Sequence, residues 1–232
     1  MNKYDRGVLI GMALGDGYIK VKSDADRIKK RNPSAQMSFS HSIKQKEYAQ
    51  YKVDRLNKIF GGNATLRTGV YKSTNGESYK ICYANKSNPY FKVLRRMLYK
   101  NGQKYITRHV LNMLNPDGIA IWFMDDGSRR ANKNLDGKIS SVALTISTCC
   151  SREEVDSIID YFNEIYGIGF KPALHKRTSL WSVRANTYDS KMLANLIMPY
   201  MIDSMKYKLS FVTKLREHEL LKSNNQLYIV GL

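Results

Sequence analysis

Long apolar runs are missing from this chain. None of its 232 residues belongs to a stretch approaching the ~18–20 that a membrane-spanning helix needs, so neither a span nor a membrane partner is expected. Cysteine is scarce. Cys82, Cys149 and Cys150 have no metal-ligand spacing, and the adjacent pair makes poor disulfide partners. An odd count of three fits a reducing compartment, with all three expected as packing residues. The four histidines, His41, His109, His175 and His218, are scattered and support neither a histidine metal site nor a Cys/His nucleophile pair. Met1-Asn-Lys-Tyr-Asp-Arg-Gly7 has no apolar core ahead of a small-residue cleavage site, so no secretory signal is expected and the location is expected to be intracellular. Acidic residues are outnumbered, 20 Asp+Glu against 38 Lys+Arg, for a formal charge of +18. The basic residues are spread along the whole chain. A folded protein with this balance most often meets a polyanion, nucleic acid first.

Against that background one pattern occurs twice: Leu9-Ile-Gly-Met-Ala-Leu-Gly-Asp16-Gly17 and Ile119-Ala-Ile-Trp-Phe-Met-Asp-Asp126-Gly127. Each is an apolar run ending in Asp-Gly. If both runs are helices, each puts an acid in its last turn, where the helix dipole disfavours anions by ~0.3–1 kcal/mol. Two such conflicts imply a positive partner, and a shared divalent metal is the obvious candidate.

The doubling extends into a longer repeat. Strand Met37–Ser42, helix Lys44–Phe60 and Gly61-Gly62 follow the first motif; strand Ser141–Ser147, helix Ser151–Tyr166 and Gly167 follow the second. Strand pairs come next, Thr65–Lys72 with Ser78–Lys86 and Phe170–Lys176 with Leu180–Asn186, and then helices Tyr90–Lys100 and Ser190–Tyr200. Asn75-Gly76 is a strong hairpin signal. Asn115-Pro116 opens the second motif helix, and Ser151-Arg-Glu-Glu154 is a capping box. Gly17 and Gly127 suit positions just past a helix end. The fold class is α+β: two pseudo-symmetric αββαββα repeats, residues 1–113 and 114–232, each with an antiparallel sheet. They join near residues 101–117 without a Pro/Gly/Ser-rich linker, so one compact body with a pseudo-twofold axis is expected. The stretch Phe211–Leu232 is expected as an added helix and tail of unassigned role.

The strands alternate. Trp181, Val183 and Ala185 oppose Ser182, Arg184 and Asn186; Phe39 opposes Ser38, Ser40 and Ser42; Ile19 and Val21 oppose Lys20 and Lys22. Polar faces of Arg, Lys, Ser, Thr and Asn suit base edges in a major groove. Expected DNA contacts are Lys20, Lys22, Ser38, Ser40, Arg67, Lys80, Ser182, Arg184 and Asn186. Two basic loops add phosphate contacts, Arg27, Lys29, Lys30 and Arg31 in the first half and Arg129 and Arg130, with Lys133, in the second.

Gly7, Gly11 and Gly15 form one stripe on the first motif helix. Such a stripe admits another backbone closely, and the second motif helix is the partner that the repeat suggests. Packed parallel, the pair would bring Asp16 and Asp126 together, where Mg²⁺ would offset their repulsion and support phosphodiester hydrolysis.

These residues resemble the LAGLIDADG homing endonucleases of the single-chain, two-motif branch. Trp122-Phe-Met-Asp-Asp-Gly127, Leu196-Ile-Met-Pro-Tyr-Met-Ile202 and Met205-Lys-Tyr-Lys-Leu209 are typical of an intron-encoded subgroup. The resemblance covers roughly residues 7–210. Ile121 departs from the small third residue of the motif, and Gly15 stands where the second copy has Asp125. What the resemblance implies is a saddle of two sheets on double-stranded DNA, acting as a monomer, and Mg²⁺-dependent cutting of both strands at a long asymmetric site. Other divalent cations such as Mn²⁺ would be able to substitute. By motif match, Asp16 and Asp126 are the metal-binding acids, Gly15 and Asp125 could add carbonyl ligands, and Lys208 and Lys104 are the lysines near the reaction. The same fold serves RNA maturases, which bind intron RNA, and inactive DNA binders; the two acids favour the nuclease. No stretch reads as a splicing domain, so an intron-encoded or free-standing enzyme is expected over an intein.

Raising salt from low to physiological concentration is expected to weaken DNA binding steeply, because each phosphate contact releases counterions. A titration of affinity against salt should give a slope of several units on a double-logarithmic plot; a flat plot would remove the polyanion reading.

Overall fold

Both motif runs are buried helices. The computed structural model describes residues 1–21, 35–62 and 64–210. Helix α1 (Lys3–Leu14) begins at Asn2, whose side chain accepts from the Asp5 N–H, and Gly7 to Leu14 are all buried. Helix α5 (Pro116–Asp126) begins as Asn115-Pro116 predicts: the Asn115 side chain accepts from the Gly118 N–H at 2.7 Å, and Pro116 takes a position whose N–H would be unused anyway. Asp117 to Met124 are buried.

The two helices lie side by side and parallel. A Cβ on Gly11 would overlap the Gly118 carbonyl, one on Gly118 the Gly7 carbonyl, and one on Gly15 the Asp125 side chain. The glycine stripe is the contact surface, and the second helix answers with Gly118, one place ahead of its motif. Ile121, at the third motif position, is fully buried. At the N-terminal ends a second set of contacts fixes the pair. Asp117, 2% exposed, accepts from Arg55 Nη2 at 2.5 Å and from the Tyr4 and Tyr51 hydroxyls. A carboxylate in a first helical turn also sits favourably in the dipole.

The remaining elements follow the repeat. In the first half come β1 (Tyr18–Val21), β2 (Ala35–Ser42), α2 (Lys46–Phe60), β3 (Arg67–Lys72), β4 (Ser78–Ser87) and α3 (Tyr90–Leu98). Two short pieces, β5 (Tyr99–Lys100) and β6 (Gln103–Lys104), pair with each other, and α4 (Arg108–Leu111) leads to α5. The second half gives β7 (Gly127–Lys133), β8 (Ile139–Cys150), α6 (Arg152–Tyr166), β9 (Phe170–His175), β10 (Leu180–Ala185) and α7 (Thr187–Ile197), then two 3-10 turns, Met198–Tyr200 and Asp203–Leu209. The two sheets have the same order, β1-β2-β4-β3 and β7-β8-β10-β9, all antiparallel. In each, two helices cover one face, α2 and α3 in the first and α6 and α7 in the second. The core is made where apolar strand positions meet those helices: Met37, Phe39, Cys82 and Ala84 in one sheet, Val142, Leu144, Ile146 and Val183 in the other.

Local signals hold. Ser151 and Glu154 form the capping box, Gly167 ends α6 at φ +66°, and Gly76 turns the β3–β4 hairpin at φ +83°. Three expectations change. Asn186 does not extend β10: its side chain accepts from the Asp189 N–H and caps α7, because a short amide before a helix satisfies a free donor. Arg129, Arg130 and Lys133 lie on strand β7, where ladder bonds to β8 replace the expected loop. Cys149 is exposed at φ +47°, while Cys82 and Cys150 are buried. The expected contacts Lys22, Arg27, Lys29, Lys30 and Arg31, and the stretch 211–232, lie outside the described residues.

The chain forms two compact units, Met1–Asp125 and a second beginning at Asp126. Helix α5 therefore packs within the first unit although the repeat pattern assigns it to the second half.

Replacing Gly11 by Ala tests the seam. Overpacking costs typically ~1–3 kcal/mol, which exceeds the ~1 kcal/mol of helix propensity gained. A lower midpoint in chemical denaturation is expected for Gly11→Ala and a larger drop for Gly11→Leu; a stabilised alanine variant would mean that the helices do not approach this closely.

Candidate active site

Asp16 follows the end of α1, its side chain 43% exposed. Behind it lies a buried set of polar groups from three elements. Asp125, in the last turn of α5, has a side chain fully removed from solvent, as does Lys52 of α2. Lys52 Nζ lies 2.8 Å from Asp125 Oδ2 and 3.0 Å from Oδ1. The Tyr48 hydroxyl donates to Oδ1 at 2.8 Å, and the backbone N–H of Asp16 donates to Oδ2 at 2.9 Å. Four contacts use the lone-pair directions a carboxylate offers. Burial, then the Asp125 charge, holds Tyr48 protonated well above the usual phenol range, which keeps it a donor. His41, on the buried face of β2, bridges outward: Nε2 is 3.3 Å from Lys52 Nζ, and Nδ1 is 3.4 Å from Asp16 Oδ2. The ammonium also lies over the rings of Phe39 and Tyr48, at 4.7 and 5.3 Å from their centroids.

Lys104, on β6, donates to the Gly15 carbonyl and lies 3.5 Å from that of Leu14. It brings a positive charge to the negative end of α1, beside the carbonyl expected as a metal ligand. Asp126 is the half-buried last residue of α5, and Lys208 is a buried lysine, 9% exposed, in the turn Asp203–Leu209.

Asp16, His41 and Asp125 could each direct one ligand atom at a common point, all within 4.8 Å of one another. The donor set fits a hard cation only in part. The exposed Asp16 carboxylate suits Mg²⁺, which takes few carboxylates and keeps waters and phosphate oxygens. The Asp125 side chain is already bound to an ammonium, and imidazole is a poor ligand for Mg²⁺.

The uncovered face of each sheet is polar, and strand register says which side chains share it. In the first unit the aligned rows are Lys20–Gln36–Ser87, Tyr18–Ser38–Asn85 and Ser40–Tyr83–Arg67. Arg67, Asn85 and Ser87 also line a depression of about 300 Å³ with Ala64, Thr65 and Lys86. Lys80 faces the other way, paired with Val70 on the side of Cys82 and Ala84. In the second unit the uncovered face carries Ser128, Arg130, Asn132, Ser141, Thr145, Lys171 and Arg184. Arg129 has the opposite parity, on the Leu144 side, with its guanidinium 5.8 Å from the centre of the Tyr207 ring. Ser182 is fully buried, 2.7 Å from His175 Nε2.

Residues 6–191 match the LAGLIDADG DNA endonuclease family. The chain belongs to that family. It is 27% identical over 216 residues to probable intron-encoded endonuclease 1 of Wickerhamomyces canadensis, covering 91% of this chain and 86% of that protein. It is 26% identical over 210 residues to the cytochrome b mRNA maturase bI2 of Debaryomyces hansenii, covering 87% and 72%. Among solved structures it resembles homing endonuclease I-WcaI bound to its DNA recognition sequence, with a TM-score of 0.72, 26% identity, and 90% and 86% coverage. It also matches RecA proteins, spanning about half of their length: 87% of this chain aligns with 45% of RecA from Mycolicibacterium chitae.

For this LAGLIDADG chain the sequence reading missed His41 and Lys52. Both had a signal. His41 shares the face of Met37 and Phe39, and Lys52 falls on the apolar stripe Tyr48, Ala49, Val53, Leu56 of α2. A polar residue on a buried stripe needs a partner.

Lys52→Met would take the ammonium from the buried Asp125 carboxylate, and breaking a buried ion pair typically costs ~3–5 kcal/mol. Urea denaturation should show such a loss, partly recovered when Asp125→Asn is added. Equal stability of wild type and Lys52→Met would mean that the pair is not formed in solution.

Proposed function

We infer that this chain is a site-specific homing endonuclease that breaks both strands of a long, asymmetric DNA target by divalent-metal-dependent phosphodiester hydrolysis. The observation that carries the reading is Asp16: an exposed carboxylate at the end of a buried motif helix, held from behind by a dedicated set of buried groups, in a chain of the endonuclease family. Polar, basic sheet faces on each unit and the charge of +18 supply the affinity for a duplex. One chain carries both repeats, so a monomer suffices.

In this reading Asp16 and Asp126 are the acids that hold Mg²⁺, or Mn²⁺ in its place. The metal, when bound, would stabilise charge on the scissile phosphate and lower the pKa of a bound water. Lys104 and Lys208 would present Nζ–H donors to the attacking water or to the charge that develops on phosphorus. Gly15 and Asp125 could add main-chain carbonyls, the first of which shares its lone pairs with Lys104. The side chains Lys20, Ser38, Ser40, Arg67, Arg130 and Arg184 would contact bases or phosphates from the uncovered faces.

A second reading, an RNA maturase that binds intron RNA, is favoured by the similarity to the Debaryomyces hansenii maturase. The retained acids weigh toward the nuclease, since RNA binding alone does not require them.

The test is cleavage with Mg²⁺ of a DNA library that includes the intronless form of the host gene. Discrete double-strand breaks, abolished by EDTA, are expected. Asp16→Asn and Asp126→Asn should each keep DNA affinity and lose roughly 10²–10³-fold in cleavage, the scale of removing one transition-state charge contact. Tight binding to intron RNA without DNA cleavage would move the assignment to the maturase.

A further inference from the structure

We propose that Lys52 and His41 are positioning residues that aim the Asp16 carboxylate, with Lys52 selecting the histidine tautomer that does so; this rests on the endonuclease reading of Asp16.

An ammonium donates and never accepts. Lys52 Nζ has three protons and three neighbours: the two oxygens of Asp125 and Nε2 of His41, at 3.0, 2.8 and 3.3 Å. His41 Nε2 must therefore be the accepting nitrogen. A proton there would set two donors against each other in a buried place. The remaining proton then belongs on Nδ1, which lies 3.4 Å from Asp16 Oδ2. That spacing is at the long end for a hydrogen bond, as catalytic contacts often are before substrate binds.

Asp16 is gripped twice. Its backbone N–H is bound by Asp125, and its carboxylate lies within 3.4 Å of His41 Nδ1. Lys52 ties the two grips together and is shielded by Phe39 and Tyr48, so neither the lysine nor the ring has room to turn away. The arrangement is that of an outer partner that fixes a ligand's orientation. It also makes the Asp125 side chain part of the support instead of a metal ligand. The device is one-sided by sequence, because Gly15 stands where Asp125 does in the other motif.

Two measurements decide it. The first needs no activity: ¹⁵N spectra of histidine-labelled free protein in mildly alkaline buffer, with His41 assigned by its loss in His41→Asn. A neutral ring protonated on Nδ1 is expected, shifting toward a mixture in Lys52→Met. A ring protonated on Nε2 in the wild type would overturn the proposal. The second is single-turnover cleavage beside DNA affinity and thermal midpoint. His41→Phe keeps ring volume and removes the donor; His41→Asn keeps an N–H where Nδ1 was. His41→Phe should lose roughly 10–100-fold in the cleavage constant with affinity unchanged, and His41→Asn should regain most of it. Wild-type cleavage by His41→Phe, or equal impairment of both variants, would overturn it, as would a parallel fall in affinity and thermal midpoint. If Lys52→Met fails to fold, the two His41 variants carry the test alone. If the wild type cuts no DNA, the endonuclease reading fails and the ring tautomer alone decides the hydrogen-bond assignment.

Discussion

The parallel packing of α1 on α5 is the constraint to which the other contacts answer. Glycine at 7, 11 and 118 lets the two backbones meet without intervening side chains. Parallel helices align their dipoles, an arrangement that gathers partial positive charge at one end and partial negative charge at the other. Each end carries its compensation. At the N-terminal ends a buried acid, Asp117, accepts from Arg55, Tyr4 and Tyr51. At the C-terminal ends, where Asp125 and Asp16 add full negative charges to two sets of carbonyls, Lys52 and Lys104 bring ammonium groups and Tyr48 a hydroxyl. Each end of the helix pair thus carries buried acid and base together, Asp117 with Arg55 at one and Asp125 with Lys52 at the other.

Much of this was legible in the residue pattern, for physical reasons that can be named. Alternation along Met37–Ser42 gave the strand faces, because a pleated strand buries every second side chain; along Leu180–Ala185 it fails at Ser182, which is buried beside Val183 where the register with β8 shifts. Asn115-Pro116, Ser151 with Glu154, Asn75-Gly76 and Gly167 marked ends and turns, because their roles depend on a few neighbouring backbone groups. The two-fold repeat followed from matching those signals at a common offset. The errors fall where one residue type serves two purposes. Asn186 reads equally as a strand residue or a helix cap, and the cap prevails because the first N–H groups of α7 need an acceptor. Arg129 and Arg130 are adjacent and alike in composition, yet parity along β7 sends one to each face.

The site itself was half legible. An acid at the end of an apolar helix demands positive charge, and that inference needs no coordinates. What the demand cannot specify is the source. A metal ion is one source; in the structure the protein's own lysines, Lys52 and Lys104, meet part of the demand. Lys52 and His41 come from elements remote in sequence from both motifs, so their meeting with Asp125 and Asp16 depends on how α2 and β2 pack, which composition and periodicity do not encode. The one signal for them, that they are polar residues on stripes that are otherwise apolar, was missed.

The two departures of the motifs from each other are complementary. In the first copy the residue before the terminal acid is Gly15; in the second it is Asp125. A Cβ at position 15 would occupy the space of the Asp125 carboxylate. The small residue is therefore what admits the large one, and the admitted carboxylate in turn binds the Asp16 N–H next to that glycine. A symmetric pair of acids at both positions would crowd four carboxylates at one seam, and a symmetric pair of glycines would leave Lys52 buried without an anion. Duplicated topology with one exchanged residue resolves both problems. It explains why halves that share strand order and helix order still differ where their motif helices touch.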